Sequence, residues 1–312
     1  MAAWFIAISY LNLGPKDSVM KYILKLYNKR DALPAKQKLL VNYGYSTLFI
    51  SDYEAIKYLN QYLKIDDQSP TFLVHLAILY NRTGQYDQAI NAGDKALRIY
   101  ERWKKLGIKS QFDNFYRQLG IAYHKTGRYK KERRLYKKAE KDFPDNSNIV
   151  SLQAILELTV GDTALANEYI QKYLSIRRKN ALNPPSEATL TSTIAGIYSD
   201  AGFLDKAEEY YRKALSLEPK SQGRMNTLAY FLIDKDRNIP EGLALSDTLL
   251  NNSPDNYNYL HTKGWGLYKM SKYQESLEIL QRSWDTRREK AIYNHEAFLH
   301  LEAAKKAVAG LK

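Results

Sequence analysis

The chain has 312 residues, no cysteine and a net charge of +13, which excludes disulfides, thiolate catalysis and cysteine–zinc sites together. Hydrophobic residues make up 45% and charged residues 26%, the balance of a soluble folded protein. The length suits two or three compact domains or one long array, and no apolar run reaches the roughly 18 residues that a membrane span needs.

The chain opens on Trp4, Phe5, Ile6, Ile8 and Leu11, a helix that is apolar nearly all round. It lacks a basic start and an A-x-A cleavage site, so it reads as a packed helix and not as a signal peptide. Gly14 and Pro15 turn it into a second helix over about 18–28, completing a first pair, 1–33. Pro34 introduces a pair over 36–69, with helices at 35–49 and 53–65. The pair at 70–103 carries Ala77, Tyr80, Gly84, Tyr86, Ala89 and Ala96, and its second helix runs on through Tyr100 and Trp103 to about residue 105. An insertion, 104–112, follows.

The next pair, 113–146, shows Gly120, Tyr123, Gly127, Tyr129, Tyr136, Ala139 and Pro144, with Glu132 where a small residue is expected. The pair at 147–180 keeps Ala154, Gly161 and Ala166 and is followed by an insertion, 181–187, containing Pro184 and Pro185. Residues 188–221 carry the clearest pattern: Ala195, Tyr198, Gly202, Ala207, Tyr211, Ala214 and Pro219. Small residues sit where two helices approach, glycine marks the turn and proline ends the pair. The pairs at 222–256 and 257–290 continue the series, the last with Ser271, Ser276 and Ser283 in place of the usual glycine and alanines. A polar helix over 291–312 closes the chain. No alternating run bounded by hairpin turns reads as a strand.

This pattern resembles the tetratricopeptide repeat, a 34-residue helix–turn–helix unit. With Ala188 as position 1, the seven residues named above fall at family positions 8, 11, 15, 20, 24, 27 and 32. The resemblance extends over nearly the whole chain. It implies an all-α, right-handed superhelical solenoid of about eight repeats plus a C-terminal capping helix, seventeen helices in all. A terminal repeat of a solenoid needs a polar outer face. The apolar first helix therefore predicts a cover, by upstream repeats, another domain or a second copy, with the chain as a piece of a longer protein.

No catalytic constellation stands out, and no P-loop, G-x-G-x-x-G, H-E-x-x-H or G-x-S-x-G occurs. His75, His124, His261, His295 and His300 are scattered, and the five-residue spacing of the last two puts them off a common helix face. Neither a metal nor a cofactor is expected, and the chain does not read as an enzyme.

Two surfaces remain. Between Lys95 and Lys141 there are 16 Lys/Arg and 4 Asp/Glu, so nearly the whole net charge sits there. Its densest part, Lys130, Lys131, Arg133, Arg134, Lys137 and Lys138, lies on a second helix, which the resemblance places on the convex face. This is either a solvated face or a contact for a polyanion, nucleic acid or anionic lipid.

The resemblance makes first-helix positions the concave, ligand-facing ones. Here they hold Asn81, Arg82, Asn114, Arg117, His124 and Lys125, a mostly basic strip suited to an acidic peptide or a free carboxylate. Farther on they hold Asn226, Tyr230, Asn258, His261, Trp265 and Tyr268, asparagines and aromatics suited to gripping a peptide. Trp265 and Tyr268 could equally serve to pack the capping helix. Val74 and Ile78 stand where a carboxylate clamp of this family would place its first lysine and asparagine, so that clamp is not carried over. The expected function is a non-catalytic protein-binding scaffold, with polyanion binding as the alternative. The compartment is left open.

Overall fold

The computed structural model describes residues 16–108, 113–179, 184–290 and 292–310. Among them are sixteen α-helices and no strand. The helix expected over residues 2–13, and its predicted cover, lie outside the described residues. The helices are α1 (Lys16–Asn28), α2 (Ala35–Tyr45), α3 (Asp52–Ile65), α4 (Pro70–Arg82), α5 (Tyr86–Lys105), α6 (Asn114–Lys125), α7 (Tyr129–Asp142) and α8 (Ser147–Thr159). They continue as α9 (Thr163–Lys179), α10 (Glu187–Asp200), α11 (Leu204–Leu217), α12 (Gln222–Asp234), α13 (Ile239–Asn252), α14 (Tyr257–Lys269), α15 (Tyr273–Glu289) and α16 (His295–Gly310).

Most boundaries follow the sequence, with two differences. The helix expected to end at residue 49 keeps α-helical bonding only to Tyr45, then widens into a π turn, Ser46–Ile50. The capping helix starts at His295, not at residue 291. Side-chain caps start many of the helices: Ser51 accepts from the Glu54 amide, Asn146 from Asn148 and Ile149, Ser186 from Thr189, and Asn256 from Asn258. Such caps satisfy amides that have no partner within the helix.

The helices form two compact units. The first takes in the chain up to Ala139 together with Arg288–His295, the second Glu140–Arg287 and the chain from Glu296. In the first unit Ala55, Leu59, Ala77, Ala89 and Ala96 are wholly buried. The four alanines let paired helices approach while leucines such as Leu59 fill between them. Gly120 serves the same purpose on α6, because a Cβ there would overlap the ring of Tyr136 from α7.

The second unit has a core around Ala154, Ala166, Ile170, Leu190 and Ile197, where α8, α9 and α10 meet. A smaller cluster joins Leu280 of α15 to Leu301 and Ala304 of α16. Serine replaces alanine within α15 without leaving a buried hydroxyl unpaired. Ser276 donates to the Gly264 carbonyl at 2.7 Å and Ser283 to the Tyr257 carbonyl at 2.7 Å.

Candidate functional site

In the first unit the first-helix residues are on α4 and α6. Asn81, one residue before the end of α4, donates its amide to the Gln118 backbone oxygen at 2.9 Å and to Gln118 Oε1 at 3.1 Å. It thus ties α4 to α6. Arg82 is half exposed and holds Nη1 3.8 Å from the carboxylate of Asp52, which is fully buried. Burial pushes the Asp52 pKa up, and the Arg82 charge opposes that shift. On α6, Asn114 and Arg117 are partly buried and Lys125 is exposed. His124 puts Nδ1 3.1 Å from Oε2 of buried Glu132. Glu132 occupies a position that normally takes a small residue, and His124 is its partner.

In the second unit the corresponding residues form an aromatic column. Tyr230 stacks on His261 (5.8 Å between ring centroids), His261 on His300 (5.0 Å), His300 on Trp265 (3.6 Å) and Trp265 on Tyr268 (4.8 Å). His300 comes from the capping helix α16. Tyr268 also packs against Leu280, Leu301 and Ala304, so the cap-packing role foreseen for Trp265 and Tyr268 is present in the fold. Both rings stay partly exposed. Trp265 Nε1 donates to Asp234 Oδ1 at 3.3 Å. Asn226 accepts from the Thr262 hydroxyl at 2.9 Å, and Asn258 from Arg287 at 2.8 Å. Burial lowers the pKa of His261 to about 3 and of His300 to about 4. Both rings are neutral at physiological pH.

The basic residues lie on α7. Lys130, Lys131, Arg134, Lys137 and Lys138 are exposed, and Arg133 is partly buried. Lys138 pairs with Glu101 of α5 at 3.0 Å. Beside that pair an open cleft of about 640 Å³ is lined by Lys95, Arg98, Arg102 and Lys105 as well as Lys138. The α5 residues of this cleft were part of the charged stretch in the sequence, but their meeting with Lys138 was not foreseen.

One further grouping escaped the sequence reading. Asp234, Glu296 and His300 each bring a metal-ligating atom within 4.8 Å of the others. Glu296 and His300 are four apart on one helix, a legible spacing. Asp234 comes from α12, and nothing in the sequence links it to them.

Tetratricopeptide repeat family models match residues 68–145 and 192–221. These two stretches are tetratricopeptide repeats. No curated protein matches the chain. Among solved structures, one described as the APC/C hetero-tetramer Cut9-Hcn1 aligns with 84% of this chain at 16% identity and a TM-score of 0.50. The repeat protein spans about half of that longer chain, 48%. A second, PilW, described as a widely conserved type IV pilus biogenesis factor, aligns over 73% of this chain and 97% of its own at 17% identity and a TM-score of 0.52. At these identities the likeness concerns the fold alone. No helix among the described residues is long and apolar enough to cross a membrane.

Proposed function

We propose that this repeat protein is a non-catalytic scaffold that binds a partner peptide or helix along its first-helix face. The observation that carries the reading is the held but accessible state of the side chains there. Trp265 is fixed between His300 and Tyr268 and anchored through Nε1, yet remains partly exposed. A surface immobilised before binding loses little conformational entropy on association. In the first unit Asn114, Arg117 and Lys125 offer donors to an acidic side chain or a free carboxylate. Asn81, His124, Asn226 and Asn258 make internal bonds, and their part in recognition is to position these neighbours.

The second reading is polyanion binding on α7, favoured by the cleft that sets five cations of α5 and α7 against two carboxylates, Asp94 and Glu101. Retention from cell extract separates the two. The first-helix reading expects a defined polypeptide that stays bound in high salt and to a Lys130→Glu, Lys131→Glu, Arg134→Glu variant. Nucleic acid or lipid released by salt and by that variant would favour the polyanion reading, because contacts with phosphates weaken steeply with salt.

A further inference from the structure

We propose that Asp234, Glu296 and His300 form a binding site for a divalent transition-metal ion of the Zn²⁺ type, which joins the end of α12 to the capping helix α16. The three ligand atoms come within 4.8 Å of one another. Around a metal bound at about 2 Å, ligand atoms lie closer than that, so small side-chain rotations close the set. Glu296 and His300 project from one face of α16, one turn apart. Asp234 is the last residue of α12.

The histidine is prepared for this role. Its Nδ1 lies 3.0 Å from Nε2 of His261. When His300 donates from Nδ1, its Nε2 lone pair is left for a metal, the outer-shell arrangement that fixes the tautomer of metal-bound histidines. The Trp265 ring, parallel to the imidazole within 6° at 3.6 Å, fixes its plane. On the acidic side, Trp265 Nε1 steadies Asp234 Oδ1, and the Lys235 ammonium lies 2.9 Å from Asp234 Oδ2. Lys235 is exposed and can swing into solvent when a cation takes its place.

One imidazole and two carboxylates suit a borderline ion such as Zn²⁺ better than Mg²⁺ or Ca²⁺, which favour all-oxygen shells. Three protein ligands leave a position open to water.

The test is calorimetric titration of the full, chelator-stripped chain with ZnCl₂, for the wild type and for Glu296→Gln, Asp234→Asn and His300→Ala. The expected result is one ion per chain, with each substitution weakening Kd at least about tenfold, the scale on which even outer-shell changes act. A Zn²⁺-induced rise in melting temperature should vanish in the same variants. Glu296 is exposed and Asp234→Asn keeps the acceptor for Trp265, so these two decide the matter should His300→Ala fail to fold. Absence of binding by the wild type overturns the proposal. So does binding that Glu296→Gln and Asp234→Asn leave unchanged, or competition by Ca²⁺ on equal terms with Zn²⁺.

Discussion

At position 120 there is no room for a methyl group, because it would overlap the ring of buried Tyr136. At position 196, also a helical glycine in a first helix, the nearest atom to an added Cβ is the Tyr211 hydroxyl at 3.8 Å. The two glycines should therefore respond oppositely to alanine. Gly120→Ala is expected to lose about 2 kcal/mol through overpacking, whereas Gly196→Ala should gain about 0.5–1 kcal/mol of helix propensity. Denaturant midpoints measure both. Ser271 holds the left-handed turn position that glycine takes in other repeats, with φ of 59°. Ser271→Gly should add about 1 kcal/mol by removing that strain. Titration supplies a further prediction. His75 is largely buried against the Tyr43 hydroxyl, 2.9 Å away, and burial followed by the Arg82 charge lowers its pKa. Below its ordinary value of about 6.5 the unfolded state takes up a proton that the folded ring resists, so stability should fall as pH drops from 7 to 5. Asp52, whose pKa is raised, acts in the opposite direction. A His75→Gln variant isolates the histidine: its stability should lose less over this range than the wild type's. An equal or greater loss would contradict the assignment.

Helix pairs were legible because their cause is local. Gly202 with φ of 83° ends α10, proline opens α4, and Ala207 and Ala214 of α11 are wholly buried, all at positions that a 34-residue repeat dictates. The ties between pairs were not legible. Asn81 read as a ligand-facing amide, and it bonds Gln118 from the next pair. Within the single pair 113–146, Glu132 stood where a small residue is expected, and it is answered by His124. His300 read as an isolated histidine, and it is inserted between His261 and Trp265. Each partner lies at a sequence separation that the repeat pattern does not specify, and surface positions carry no periodic signal. Asn81→Ala should cost about 1–3 kcal/mol by leaving the Gln118 oxygens short of donors. Thermal melting checks this, and a neutral result would remove the tie.

Within each unit most contacts join neighbouring helices, with the exception that His295 at the start of α16 meets Asp52 and Tyr53 of α3, and stability is close to a sum of repeat and interface contributions. A defect such as Gly120→Ala should then speed hydrogen exchange in α6, α7 and their neighbours while leaving α12–α15 protected. Uniform acceleration would mean that the two units unfold as one. The central claim is that partners meet the first-helix face, and site-specific photo-crosslinking tests it most directly. A photoreactive residue placed at Lys125 on α6, and another at Lys137 on α7, should give different results in the same extract. The account predicts a discrete polypeptide adduct from Lys125, insensitive to salt, and none from Lys137. Salt-sensitive adducts at Lys137 with Lys125 silent would contradict it and assign binding to the basic face of α7.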